Sequence, residues 1–322
     1  MLVVAWLCTA FRPAAAAPAG KPEPAPNPKP TMSNVAYGPD PRQVLDFWKA
    51  DAKVPTPLVF YIHGGSWVGG SKNHVEGLRS VLDAGISVVS VEYRLVGRAQ
   101  QAGVKPPVAW PMHDVARALQ FVRSKAADWN VDETRIGVGG NSAGACSGLW
   151  LAFHDDMADP RSADPVARES TRLACAGLIS AQTSLDPKQM REWIPNIDYG
   201  GHAFGFAADP EHGVSRFEKF LRARESILPW IEEYSPYALA TADDPPVYLG
   251  YAMPPALGQP QVEATHSANF GVGLQQKLRR VGVPCQVVYP GAPAVEYRQA
   301  HEFLVACLRA LPERRPVEKP PR

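Results

Sequence analysis

The sequence predicts an α/β protein with one mainly parallel sheet flanked by helices. Apolar runs of strand length alternate with segments of helical periodicity along most of the chain. Several of these runs are almost continuously apolar, which is typical of strands whose two sheet faces are both covered. A length of 322 residues, with 45% hydrophobic and 20% charged residues, suits a soluble domain with a large core.

Composition divides the chain into four parts. An apolar stretch at 1–10 and an alanine run at 14–17 predict a signal peptide at residues 1–17, although a basic start is missing. Proline enrichment at 18–32 predicts an extended linker. We therefore expect an exported protein, periplasmic or extracellular, with its domain at 33–312 and a disordered tail at 313–322. No later run approaches the roughly 18 apolar residues of a membrane span.

The predicted elements follow one another in the order of an α/β sheet. Strand-like runs lie at 35–38, 43–48, 57–63, 86–93, 135–139, 175–181, 246–251 and 284–289, and helical segments lie at 75–84, 110–129, 142–155, 266–281 and 295–311. Residues 183–241 break the alternation, with a helix near 215–227 and no clear strand. Such a segment predicts a helical, cap-like insertion that lines a pocket at the C-terminal edge of the sheet.

Charge and cysteine usage exclude several classes of function. The net charge of +1 carries no electrostatic signature of nucleic-acid or anionic-membrane binding. The five cysteines show no spacing that predicts a zinc site. No cofactor, metal or nucleic-acid partner is therefore expected.

A serine stands on a predicted strand-to-helix turn at Gly140-Asn141-Ser142-Ala143-Gly144. Such a turn needs neighbours without bulk, and Gly140 and Gly144 occupy the two positions where a side chain would collide. The following helix points its N-terminus at Ser142, where free N–H groups favour negative charge. This setting favours a nucleophilic serine.

A second glycine-bearing loop, HGGSW at 63–67, follows an earlier predicted strand. Acyl transfer needs donors for a developing oxyanion as well as a nucleophile. The backbone N–H groups of Gly65, Ser66 and Ala143 are the candidates for these donors.

The two motifs, in this order, resemble the α/β-hydrolase superfamily, in particular its carboxylesterase and hormone-sensitive-lipase-like branch. That branch has a His-Gly-Gly-Gly loop and a Gly-x-Ser-Ala-Gly elbow, and here Ser66 replaces the third glycine. The segment 93–95 and Asp114 stand where the branch has its Tyr-Arg-Leu and its structural Asp. The resemblance covers about 35–311 and implies the α/β-hydrolase fold with Ser142 as nucleophile.

The resemblance also implies an acid after the penultimate strand and a histidine after the last one. Glu263 is the one carboxylate at 252–265 and takes the acid's place. The expected histidine is missing near 291–294, and His301 lies about 10 Å farther along the terminal helix. His266, close to Glu263, and His202, in the insertion, are alternative bases, and the sequence leaves open whether any histidine serves.

We expect a serine hydrolase of carboxylic esters with Ser142, Glu263 and His266 as catalytic residues. The alternative is a catalytically weak ligand-binding protein of the same fold, because the usual histidine is missing. The substrate is expected to be a small-molecule or saccharide ester. The side chains expected to line its pocket are Trp67, Tyr199, His202 and Phe204.

Overall fold

Eight strands form one sheet in the computed structural model, which describes residues 27–312. They are β1 (Met32–Ala36), β2 (Val44–Trp48), β3 (Thr56–Ile62), β4 (Ser87–Val91), β5 (Val131–Asn141), β6 (Cys175–Ile179), β7 (Val247–Gly250) and β8 (Cys285–Val288). Their order across the sheet is β1-β2-β4-β3-β5-β6-β7-β8. The pairs β1–β2 and β2–β4 are antiparallel and the others are parallel. The predicted α/β class with a mainly parallel sheet is confirmed.

Between residues 27 and 312, eleven α-helices connect these strands and cover the sheet. They are α1 (Leu78–Asp83), α2 (Val96–Gln101), α3 (Ala109–Ser124), α4 (Ala126–Trp129), α5 (Ala143–Phe153), α6 (Pro187–Trp193), α7 (Arg216–Arg222), α8 (Leu228–Tyr234), α9 (Pro236–Leu239), α10 (Ala268–Val281) and α11 (Ala300–Ala310). Among residues 27–312, no helix combines the length and apolar character that crossing a bilayer requires.

The core lies on both faces of the sheet because alternate strand residues point to opposite sides. On β3, Val59 and Tyr61 join the cluster under α1 and α11, whereas Phe60 and Ile62 join the larger cluster under α3, α5 and α10. All residues of β3 are buried, as the continuous apolar run predicts. All residues of α5 are buried too, so this helix stands at the centre of the larger layer.

Among the helices that begin later than their sequence periodicity predicts, two carry or follow a candidate base. Ser267 caps α10 by accepting a hydrogen bond from the Asn269 N–H at 3.1 Å, so the residues before it form a separate 3₁₀ turn, Ala264–His266. A capping box between Gln299 and Glu302 begins α11 at Ala300 rather than near residue 295.

The insertion at 183–241 consists of short helices, as predicted. The helix expected at 215–227 is divided into α7 and a 3₁₀ turn, Arg224–Ile227. Its single strand-like feature in the described residues is an isolated bridge between Asp209 and Val214.

The predicted signal peptide at 1–17, residues 18–26 of the predicted linker and the predicted tail at 313–322 lie outside the described residues. Strand β1 includes Met32, which is one residue before the predicted domain start. Just upstream, the Pro28 carbonyl accepts a hydrogen bond from Trp48 Nε1 at 2.8 Å.

Candidate active site

The turn between β5 and α5 holds Ser142 in a strained backbone conformation. Its φ of 51° and ψ of −123° lie outside the regions that side-chain-bearing residues usually adopt. The Ser142 N–H donates to the Ile179 carbonyl at 2.9 Å, and the Ser142 carbonyl accepts from the Cys146 N–H at 2.9 Å. The backbone on both sides of the serine is thus fixed by the neighbouring strand and by α5.

The two glycines of the turn are required by close backbone approach. A Cβ at Gly144 would lie 2.1 Å from the Ile62 carbonyl oxygen and 2.5 Å from that of His63. A Cβ at Gly140 would lie 2.7 Å from the same Ile62 oxygen. The predicted collisions at both positions are confirmed, and they explain how the elbow fits tightly against the end of β3.

The imidazole of His266 faces the serine. Its Nε2 lies 2.9 Å from Ser142 Oγ, a hydrogen-bond distance. His266 ends the 3₁₀ turn that follows β7, and its side chain is half-buried. Burial lowers the pKa of His266 from its usual 6.5, and the charge of Glu263 partly opposes this shift. Burial is the larger effect, so the net shift favours a neutral imidazole, the form that can accept a proton.

Glu263 lies close in sequence to His266 but not in contact with its ring. The residue is exposed at the start of the 3₁₀ turn, where its carbonyl accepts from the His266 N–H at 3.1 Å. Within the described part of the chain, no hydrogen bond joins the Glu263 carboxylate to the imidazole. Its influence on His266 is therefore the through-space charge effect on the pKa.

The other two candidate bases point elsewhere. His202 Nε2 donates to the Ser66 carbonyl at 2.9 Å, and burial lowers the pKa of His202 to about 4. His301 packs against Gly77, where an added Cβ would lie 2.6 Å from its ring. It lines a cavity of about 660 Å³ between α1, α11 and the sheet, whose lining includes neither Ser142 nor His266.

The HGGSW loop packs against the elbow. A Cβ at Gly64 would lie 3.2 Å from the Ser142 Cβ, and the left-handed φ values of Gly65 (110°) and Ser66 (54°) turn the loop sharply. Among the described residues, the N–H groups of Gly65, Ser66 and Ala143 donate to no protein acceptor. They therefore remain available to an oxygen placed between the loop and the N-terminus of α5.

Buried polar contacts hold the first residue of this loop in place. His63 Nε2 donates to Glu92 Oε1 at 3.0 Å, and the Tyr93 hydroxyl donates to the His63 carbonyl at 2.8 Å. Burial alone would raise the pKa of Glu92, but the hydrogen bond and charge of His63, together with Arg42, lower it. The charged carboxylate thus holds His63 and, through it, the start of the loop.

The four predicted pocket residues occupy different environments. Trp67 is fully buried and donates through Nε1 to Ser147 Oγ at 2.9 Å. It therefore packs the loop onto α5 and does not line an open pocket. Phe204 is buried and stacks on Phe220 with ring centroids 5.0 Å apart. Tyr199 and His202 do line an open cleft of about 250 Å³ beside the loop.

The cleft lies between the HGGSW loop and the insertion. Ser66 and Val68 line its loop side, and Arg216 is among the insertion residues opposite. Within residues 27–312, no group of three or more His, Cys, Asp and Glu side chains is arranged to hold a metal ion.

One residue near the site is not among those that the sequence predicts to be functional. Gln182 follows β6, is fully buried, and donates through Nε2 to the Thr265 carbonyl at 2.7 Å, immediately before His266. Its place after a predicted strand, on the same sheet edge as Ser142, is the signal that could have indicated it.

Comparison with known proteins identifies related sequences. Residues 45–192 match the BD-FAE family, a segment that includes Ser142 and ends before Glu263 and His266. Esterase LipC of Mycobacterium tuberculosis is 33% identical over 117 residues, which cover 34% of this chain and 27% of LipC. Carboxylesterase NlhH of the same species is 33% identical over 168 residues, which cover 48% of this chain and 50% of NlhH. The chain thus spans half or less of these relatives' lengths.

Solved structures share the fold over most of the chain. An acetyl ester-xyloside bifunctional hydrolase from Caldicellulosiruptor lactoaceticus superposes with a TM-score of 0.61 at 18% identity, covering 89% of this chain and 98% of that one. The thermophilic esterase Est2 of Thermogutta terrifontis gives a TM-score of 0.55 at 21% identity, covering 81% and 84%. The predicted α/β-hydrolase fold is confirmed.

Proposed function

We propose that this chain, which has the α/β-hydrolase fold and resembles carboxylesterases over its first half, hydrolyses carboxylic esters through an acyl-enzyme on Ser142. The observation that carries the proposal is the distance of 2.9 Å between Ser142 Oγ and His266 Nε2. A neutral imidazole at this distance accepts the hydroxyl proton as the oxygen attacks.

Acylation proceeds by attack of Ser142 Oγ on the ester carbonyl carbon while the hydroxyl proton moves to His266 Nε2. The carbonyl oxygen becomes an oxyanion and is bound by the N–H groups of Gly65, Ser66 and Ala143. The tetrahedral intermediate then expels the alcohol, which takes the proton from His266. Water repeats the sequence on the acyl-enzyme, releasing the acid and restoring Ser142.

In this proposal Glu263 acts as an electrostatic partner of His266. Its charge favours the imidazolium that forms when the proton is transferred, as the direction of its effect on the pKa of His266 supports. Because its carboxylate is exposed, solvent screening weakens this contribution.

The substrate class we propose is a small ester, including acetyl or related esters of saccharides. The cleft of about 250 Å³ beside the oxyanion loop has room for a small group, and Arg216 supplies a charged donor for hydroxyl groups. Ser66 joins this cleft to the oxyanion loop, whereas Ser142 and His266 are not among its lining residues. The structural neighbours include an acetyl ester-xyloside bifunctional hydrolase and a carbohydrate esterase, which support this choice. We also propose that the protein is exported, on the basis of its N-terminal composition.

Hydrolysis of p-nitrophenyl acetate by the wild type and by Ser142→Ala tests the proposed activity. We expect the variant to lose at least about 10³-fold in kcat/KM. Equal rates for the two proteins would refute the serine mechanism. The missing histidine after β8 favours the ligand-binding alternative, whereas the contact between His266 Nε2 and Ser142 Oγ supports the hydrolase.

A further inference from the structure

Gln182 occupies a fully buried position at the edge of the sheet that carries the candidate site. It lies three residues beyond the end of β6, whose last residue, Ile179, pairs with Asn141 of β5 and with Gly250 of β7. Ser142 follows β5 directly, and His266 lies in the segment after β7. The three side chains therefore come from three adjacent strands that end side by side.

The amide of Gln182 makes a specific contact with the segment that carries His266. Its Nε2 donates to the Thr265 carbonyl at 2.7 Å and more weakly to the Ser180 carbonyl at 3.4 Å. The contact to Thr265 spans 83 residues of sequence, so it ties the 3₁₀ turn to the end of β6. A carbonyl fixed in this way also fixes the N–H and the Cα of His266, because the peptide group is planar.

The other end of the amide has no partner. Gln182 Oε1 is buried and accepts no hydrogen bond from any described residue. An unpaired buried acceptor lowers the free energy of unfolding, because it has lost its hydrogen bonds to water, and an apolar side chain would avoid this cost. A polar side chain at this position thus needs an explanation that packing does not supply.

We propose that Gln182 is the positioning residue for His266. By holding the Thr265 carbonyl it fixes the 3₁₀ turn Ala264–His266 so that the imidazole stays within hydrogen-bond distance of Ser142 Oγ. Glu263 lacks a hydrogen bond to the ring and does not perform this task. The inference rests on the proposed hydrolase function, since it assigns His266 the role of base.

The chain offers a matched control in Gln120. This glutamine on α3 is also buried, and its Nε2 donates to backbone carbonyls, including that of Glu169 at 2.9 Å. Those carbonyls belong to the segment before β6, and Gln120 contacts none of the proposed catalytic groups. Gln120→Leu therefore reports what loss of a buried amide does to stability alone.

The test measures kcat and KM for p-nitrophenyl acetate in wild type, Gln182→Leu, Gln182→Met and Gln120→Leu, with thermal unfolding of each. We expect both Gln182 variants to lose about 10- to 100-fold in kcat, since a displacement of about 1 Å in a catalytic group has effects of that size. KM is expected to change by less than about 3-fold, and Gln120→Leu is expected to keep wild-type kcat. Gln182→Met, with its flexible side chain, serves if Gln182→Leu does not fold.

The outcomes separate this inference from the proposed function. If wild type is active and loses activity in Ser142→Ala, but a folded Gln182 variant keeps kcat within about 2-fold, the positioning role is refuted alone. An equal loss of kcat in Gln120→Leu would also refute it, because the effect would then be one of general stability. If wild type and Ser142→Ala have equal rates, the proposed function itself fails.

Discussion

Ser142 Oγ and His266 Nε2 are 2.9 Å apart although 124 positions separate them in the sequence. The elbow after β5 presents the serine, and the 3₁₀ turn after β7 presents the imidazole. An imidazole therefore reaches Ser142 Oγ without the histidine after β8 that the family resemblance leads one to expect.

Removing the imidazole should abolish most of the activity. We expect His266→Ala to lower kcat for p-nitrophenyl acetate by at least about 10³-fold, because no other described histidine faces Ser142. His301→Ala is the control, since His301 packs against Gly77 and lines a cavity whose lining residues do not include Ser142. A larger loss in the His301 variant than in the His266 variant would contradict this assignment.

The pH dependence of kcat/KM should follow the lowered pKa of His266. A general base works in its neutral form, so activity falls as the pH drops through its pKa. Because burial lowers that pKa, we expect the acid limb to have its midpoint below 6.5. Glu263→Gln removes the charge that raises the pKa of His266 and should move the midpoint lower still. A midpoint above 6.5, or an upward shift in the variant, would disagree with this account.

The elbow should not tolerate a methyl group at Gly144. A Cβ there would lie 2.1 Å from the Ile62 carbonyl oxygen, so we expect Gly144→Ala to reduce the free energy of unfolding by about 1–3 kcal/mol or more. Gly97 in α2 is the control, because a Cβ there meets no atom within 4 Å. Gly97→Ala should leave stability unchanged or raise it by up to about 1 kcal/mol. Urea unfolding measures the free energy of unfolding of both variants. Equal values for the two would show that the backbone at the elbow adapts to the methyl group.

Ser66 should act through its backbone. In the proposed oxyanion site its N–H is the donor, so Ser66→Gly should keep kcat within about 5-fold of wild type. The residue also has a φ of 54°, which glycine adopts without strain. A loss of more than about 100-fold, measured with p-nitrophenyl acetate, would instead indicate that the hydroxyl group takes part.

The elbow and the sheet were accessible from sequence because their determinants are local. A sharp turn from a strand into a helix requires residues without side chains, which Gly140 and Gly144 supply. The continuous apolar run of β3 predicts a strand with both faces covered, and all its residues are buried. The sequence predicts a helix from residue 266 because the apolar periodicity continues through the 3₁₀ turn. The cap at Ser267 instead starts α10 at Ala268.

The partners of His266 depend on tertiary contacts that no local pattern encodes. Glu263 stands at the expected position along the chain, but its carboxylate faces solvent. Gln182 contacts the Thr265 carbonyl only because β6 and β7 end side by side. Trp67 stands in the HGGSW loop, but its indole is buried against α5 and is not open to a ligand.

The most direct test of the Ser142–His266 pair is covalent labelling with a fluorophosphonate probe, read by intact-mass and peptide mass spectrometry. The account predicts one adduct per chain on Ser142 in the wild type, none in Ser142→Ala, and labelling at least about 100-fold slower in His266→Ala. An unlabelled wild type, or equal labelling rates in the wild type and His266→Ala, would contradict it.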